Sequence, residues 1–583
     1  MKSKGKEVYI QKKKLLRPYE LSIRLKKLSS QGKLEVAISQ LKSMPLDAQN
    51  EATWNTVILE VLKSERYQLA YRLYIDMKRR GFVPNVRTYT TLFSGFREID
   101  DWHNRTKLLE QVDTLHSNYL DYAARIKETD PRSPELTNAI TRAYIYILGR
   151  ARRYQQVFDV FYAMDKEGPL AADVVLYGEM IRSVSLRTEV GLPPDALDAF
   201  RAEGASHAKL LWRLLLKYVE NNPPAQVNSH IVGSMVHALS RGTASDKLFI
   251  WDIVRDYLGL FKPGEPQKPA IVPLTPRTFH EVLRFCNSTQ KYRLTIHFFH
   301  LVLQRSSDHS HSGLVDEGHV EAVLRAHASL AMLGDGDYEA RQALDVLSWL
   351  LKEWVVSSRP EALQPKPVEF DLVLTCCYRT GTWDVALRTF EILTGYRAAD
   401  FSDDAADARD ERMCPRHRET PTGRTNEPDP VFLSHLVRTA LNSGDLANMR
   451  QCLRIVYCVR PRWSLPREES EPRVNREANT RSNTASNVRF YVPRLAKDVV
   501  EMVDKVVSKD DGRTEFEVEA SKFKSVRKLA ESVVREARAS SDKVMTPHLL
   551  HDPLGGQRSL AATDSFVEYD LTVRRTLPSR SKR

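Results

Sequence analysis

The chain has 583 residues, 42% hydrophobic and 28% charged, with a formal net charge of +12 and a pI near 9.2. That length is too great for one ordinary core and calls for several domains or an extended array, and the sequence has no run of about 18 apolar residues of the kind that spans a membrane. Its six cysteines form no C-x-x-C pair, which excludes a disulfide framework and fits a reducing compartment, while the excess of Lys and Arg attracts polyanions.

In chain order, residues 1–17 form a basic segment dominated by Lys. It lacks the apolar core of a secretory signal, and with Glu7, and Glu20 just beyond it, also the acid-poor, Arg- and Ser-rich composition of a mitochondrial presequence. From Glu51 to Asn85 the apolar residues fall at helical spacing in two runs. Trp54, Val57, Ile58, Val61 and Leu62 mark a first helix, and Leu69, Ala70, Leu73, Tyr74 and Met77 a second. Gly81 and Pro84 then stop the second helix, the first as a left-handed cap and the second because it cannot continue the ladder. Thr53-Trp54-Asn55-Thr56 returns as Thr88-Tyr89-Thr90-Thr91 at an offset of 35 residues. One short hairpin cannot bury its apolar face alone, so an offset of that size predicts stacked hairpins.

The unit Glu51 to Asn85 resembles a pentatricopeptide repeat (PPR). It has an aromatic fourth residue (Trp54), Asn55 at the fifth position, Lys63 at the thirteenth, then Ala70, Tyr74, Met77, Gly81 and Pro84. An earlier unit keeps Ser22, Gly32, Ala37 and Met44 and ends at Asn50. The following unit opens with "VRTYTTLFSGF", and its second helix is drawn out to about Ser133. The next restores Asn138, Phe161, Met164, Gly168 and Asp173, with about four extra residues expected between its two helices. Later copies survive mainly as helical pairs. The expected fold is therefore all-α: a right-handed α-solenoid of about ten hairpins between Pro18 and about Val459, with a short helical C-terminal extension.

Residues 18–185 hold the well-matched repeats, 186–395 degenerate hairpins, and 429–459 the last hairpin. Two polar stretches, 396–428 and 460–487, are expected to be disordered. Amphipathic helices are expected over 488–545 and a featureless tail over 546–583.

Arrays of this kind present a few side chains per repeat to one unpaired base, with cations on the phosphates. The resemblance implies that base choice follows the fifth and last residues of each repeat, here Ser22 with Asn50, Asn55 with Asn85, Thr90 with Ser133, and Asn138 with Asp173. By the family's code the first, second and fourth pairs resemble readers of A, a pyrimidine and U. Gly178, His280 and Asp371 occupy the fifth position elsewhere and read as structural. Arg142, Arg150, Arg152 and Arg153 crowd one first helix and its turn as a candidate phosphate clamp, and Lys63 is a further candidate. The plain alternative for a short polar residue at a helix start is an N-cap.

No P-loop, G-x-S-x-G, H-E-x-x-H or deaminase motif is present, so no enzyme, cofactor or metal is expected. The resemblance implies a mitochondrial single-stranded RNA-binding protein acting in RNA maturation, stability or translation. In style it looks more like a fungal mitochondrial group tied to small-subunit rRNA maturation and group I intron splicing than like the long regular plant arrays, with small ribosomal subunit proteins as further partners. The alternative is a protein-binding scaffold or a ribosome subunit or assembly factor.

Overall fold

The computed structural model describes residues 17–187, 193–306, 313–334, 337–356, 363–407, 427–459, 478–508 and 516–544. Most of the N-terminal basic segment and the whole 546–583 tail lie outside the described residues. Among the described residues every regular element is helical, and no helix is long and apolar enough to cross a membrane. The chain divides into two compact units, residues 1–389 and 390–583.

The first unit is a succession of hairpins. It opens with α1 (Pro18–Ser30) and α2 (Leu34–Ser43), α3 (Glu51–Lys63) and α4 (Tyr67–Arg79), and α5 (Val86–Arg97) and α6 (Thr106–Thr129). It continues with α7 (Ala139–Arg150) and α8 (Tyr154–Ala163), α9 (Val174–Ser185) and α10 (Pro194–Asn221), and α11 (Ser229–Ser240) and α12 (Ala244–Leu258). The last are α13 (Pro276–Ser288) and α14 (Tyr292–Ser306), α15 (Glu317–Leu333) and α16 (Tyr338–Val356), and α17 (Pro367–Thr380) and α18 (Trp383–Thr394), whose final turn belongs to the second unit. Each odd-numbered helix packs against the next odd-numbered one, from α1 through α17. The first helices thus form a continuous row, and each hairpin buries its apolar face on its neighbour, the arrangement of an α-solenoid.

Trp54, Val57, Ile58 and Val61 of α3 and Ala70, Leu73, Tyr74 and Met77 of α4 are all essentially inaccessible to solvent. Close approach within the row needs small residues. A Cβ on Gly149 of α7 would stand 2.3 Å from Oγ of Ser183 on α9.

The turns set the register. In five hairpins of this unit a left-handed residue closes the first helix, just after the cap at Gly32, Glu65, Arg152 and Gln290 and at the cap itself at Gly381, with φ between 57° and 75°. The N–H of the following residue returns to a carbonyl in the helix. Lys33 donates to Leu28 (3.0 Å), Arg66 to Val61 (3.2 Å), Arg153 to Leu148 (2.9 Å), Lys291 to Cys286 (2.8 Å) and Thr382 to Cys377 (3.1 Å). This is a Schellman closure, which satisfies carbonyls a helix end leaves open.

The α7–α8 turn is thus the same length as the α3–α4 turn, and the four extra residues expected between those helices are absent there. They sit instead ahead of α7, where Asn138 is already in helical conformation (φ −78°, ψ −5°).

A buried imidazole adds an acid sensitivity. His116 of α6 stacks on Tyr144 at 4.0 Å between ring centroids, and its Nε2 lies 3.3 Å from Thr141 Oγ1. Burial holds its pKa down at about 4, against 6.5 for an ordinary histidine. Between those values the unfolded chain binds more protons than the folded one, so stability falls as pH drops through that window. At about pH 5 the loss relative to neutral pH should be about 2 kcal/mol. Thermal melts at both pH values should show it, and His116→Phe, which keeps a stacked ring, should remove that share of the drop.

The second unit holds α19 (Asp403–Asp407), α20 (Pro430–Ser443), α21 (Leu446–Val459), α22 (Ala478–Ser508) and α23 (Phe516–Val544). With α20 and α21, ten hairpins lie between Pro18 and Val459. Two polar stretches are more ordered than expected. Residues Ala398–Phe401 form a 3-10 turn, and Asp403 of α19 accepts from Arg450 and from Arg454 (2.7 Å), so 396–407 is built onto α21 by charge pairing. Helix α22 begins at Ala478, inside the stretch expected to end at 487. Residues 408–426 and 460–477 lie outside the described residues.

Candidate nucleic-acid interface

Most first helices start at a side-chain cap; α1, α7 and α17 do not. Asn50, Asn85, Asp173, Asn228 and Asp316 accept from the backbone N–H three residues on, at 2.8–3.2 Å. Three of the expected last-residue readers, Asn50, Asn85 and Asp173, are therefore caps. In Asn50 and Asn85 only Oδ1 is engaged in this way, and the amide hydrogens on Nδ2 have no partner among the described residues. Ser133 is not a cap; it lies in the loop before α7, where its Oγ accepts from the Glu135 N–H at 3.4 Å.

In every helix of the row but α7, the fifth residue after the N-cap position forms a second series: Ser22, Asn55, Thr90, Gly178, Gly233, His280, Glu321 and Asp371. Counting ten residues back from the left-handed turn gives the same position in α1, α3, α13 and α17, and in α7 it gives Arg142. The register of α7 is thus one helical turn away from the sequence expectation, with Arg142 in the place assigned to Asn138. Asn138 instead donates from Nδ2 to the Ala171 carbonyl at 2.8 Å, tying its repeat to the segment before α9.

The fifth position and the next cap converge. Arg142 Nη1 lies 3.3 Å from Asp173 Oδ2. Farther along, Asp316 acts electrostatically on His280, and Glu321 on Lys366, the residue before α17. Two hollows open along the row. One, of about 330 Å³, is bordered by Gly178, Asn228 and Gly233, and the other, of about 460 Å³, by His280, Asp316, Glu321 and Lys366.

Asn55 differs from the rest of the series. It is 6% exposed, and neither its Oδ1 nor its Nδ2 has a hydrogen-bond partner among the described residues. An unmade hydrogen bond at a buried polar group costs about 1–3 kcal/mol, so such a group needs an explanation. Ser22 and Thr90 turn their hydroxyls back onto helix carbonyls, Ser22 to Pro18 (3.0 Å) and Thr90 to Val86 (2.8 Å). Thr90 is exposed, and Ser22 partly so.

The expected four-cation clamp resolves into separate pairs. Arg142 goes to Asp173, Arg150 to the carbonyl (3.0 Å) and carboxylate (2.8 Å) of Asp100, and Arg153 to Asp113 at 3.5 Å. Only Arg152 of the four has an exposed guanidinium without a partner among the described residues. Lys63 is exposed and pairs within its own helix with Glu60 at 2.9 Å.

A group missed in the sequence lies one turn further along. Arg97 of α5 and Arg182 of α9 both lie over the ring of Tyr146, at 4.4 and 5.3 Å, and Arg97 also pairs with Glu179 at 2.9 Å. Tyr146 and Arg182 each lie four residues past the fifth position. They could have been found once the α7 register was known.

Tandem hairpins joined through their first helices define an α-helical repeat protein. Residues 49–98, spanning α3, α4 and α5, match the PPR repeat family. Similar solved structures include the pentatricopeptide repeat protein PPR10 in complex with an 18-nt psaJ RNA element, at 12% identity over 91% of this chain and 74% of that one, with a TM-score of 0.27. PPR10 from maize is similar at 13% identity over 95% and 90% of the two chains, with a TM-score of 0.21. These identities are too low to carry residue roles across. No curated protein matches the chain by sequence.

Proposed function

We infer that the chain binds single-stranded RNA along its row of first helices, with the fifth-position side chains and the caps facing successive bases. The observation that carries this reading is Asn55, a buried amide with both hydrogen-bonding groups unmade, in the repeat that matches the PPR family. An amide has a donor and an acceptor, the combination a base edge requires. Asn85, the cap of the following helix, keeps its amide hydrogens without a partner among the described residues. The net charge of +12 supplies the general attraction to a polyanion.

The mechanism is steric. A bound strand is kept from nucleases and from misfolding, and is held open for another factor. A mitochondrial setting, and tasks such as small-subunit rRNA maturation or intron splicing, belong to this reading through the resemblance of the repeats alone.

The test is the salt dependence of binding to single-stranded oligonucleotides. Log affinity should fall linearly with log salt, and Arg152→Ala should lower that slope by about one without altering base preference. A chain that holds ribosomal or other proteins and shows no salt-dependent RNA binding would be a scaffold instead.

A further inference from the structure

The hollow between α9, α11 and α13 has a composition of its own. Two fifth positions there are glycines, in close contact with the neighbouring helix. A Cβ on Gly178 would meet Ile231 Cγ1 at 3.0 Å, and one on Gly233 would meet Thr278 Oγ1 at 3.1 Å. Two adjacent repeats therefore offer no fifth side chain, and the space left is the cavity of about 330 Å³.

Its walls are charged. Arg182 lies over Tyr146, and Arg277, at the start of α13, is exposed with no partner among the described residues. Glu179 takes Arg97, and Glu281 takes His237 (3.0 Å) and Arg284 (3.5 Å). The lining itself holds two guanidinium groups and two carboxylates, and each carboxylate is paired with a further Arg outside the lining, so the Arg182 and Arg277 charges are not spent on them. Two buried atoms at the hollow, Arg182 Nε and Glu179 Oε2, have no hydrogen-bond partner among the described residues.

We propose that this hollow seats one nucleotide of a bound RNA strand without selecting its base, the phosphate resting on Arg182 and Arg277. The proposal rests on the RNA-binding reading above and adds a site to it. Cations that meet a phosphate carry no sequence information. Of the other polar groups lining the hollow, the Ser234 hydroxyl and the exposed His230 imidazole can each donate or accept, and the Asn228 amide, with its Oδ1 spent on the Ile231 N–H at 3.0 Å, keeps a donor. Every base edge has both an acceptor and a partner for such adaptable groups, so none of them favours one base. The repeats holding Asn55 and Arg142 would then select, while the pair holding Gly178 and Gly233 would only grip.

The test measures binding of A-, C- and U-rich oligonucleotides, of UMP and of an acidic peptide to the full chain and to the rim variants Arg277→Gln and His230→Glu, both at exposed positions. Each variant should weaken all three oligonucleotides equally, by about tenfold, and leave the preference set by Asn55 unchanged. UMP binding that the variants abolish also supports the seat and shows that it accepts a free nucleotide. Wild-type affinity in both variants, with preference still sensitive to Asn55, overturns the seat but leaves the RNA-binding reading intact. Loss confined to one base overturns the absence of selection, and equal binding of the acidic peptide overturns the nucleotide assignment. A wild-type chain that binds no oligonucleotide overturns both readings.

Discussion

Replacing Asn55 by leucine is expected to make the protein more stable and less discriminating at the same time. Leucine nearly matches asparagine in shape, and the substitution removes two buried groups whose hydrogen bonds are unmade. Exchanging such groups for apolar ones should raise unfolding free energy by about 1–3 kcal/mol, visible as a higher midpoint in chemical denaturation. Oligonucleotides that differ at one base should meanwhile converge in affinity, because the only group at that position able both to donate and to accept is gone. Asn55 sits in a helix interior and caps nothing, so helix propensity does not oppose the gain. A loss of stability would mean that the amide is partnered within the fold. Preference unchanged at every base would remove Asn55 from the interface.

The other large effect is expected next door. Trp54 is wholly buried, packs against the ring of Phe82 at 6.3 Å between centroids, and donates from its indole nitrogen to Gln49 Oε1 at 3.1 Å. Trp54→Ala opens a large cavity and leaves the 5%-exposed Gln49 without that partner. The cost should be about 3–5 kcal/mol, read as a drop in denaturation midpoint. Since each hairpin is stabilised by its neighbours, proteolysis of the variant should begin in the first three hairpins. Trp54→Phe should recover most of the loss. A melt unchanged from wild type would show that α3 is not the seam of this part of the array.

These two neighbours also mark how far the sequence can be read. The buried faces of α3 and α4 follow from apolar spacing, and the count of ten hairpins follows from repeating that spacing. The register of α7 does not, because Asn138 and Arg142 are one turn apart and lie on the same side of a helix. The feature that resolves it is the left-handed turn residue. In three hairpins that residue is Glu65, Arg152 or Gln290 rather than glycine, so composition does not announce it. Residues 396–407 misled for another reason. Their polarity suggests a loop, but Asp403 is held by Arg450 and Arg454 from a helix more than forty residues away, and no local pattern encodes that partnership.

The helices also differ in how freely their lengths vary. Those of the contacting row from α1 to α13 keep to 12 or 13 residues, whereas their partners range from 10 in α2 to 28 in α10. From α1 to α13 extra helix length is thus absorbed in the partner helices, which work as an expansion joint. The gene can gain or lose codons there while the spacing of caps along the opposite edge, and any template those caps are matched to, stays constant.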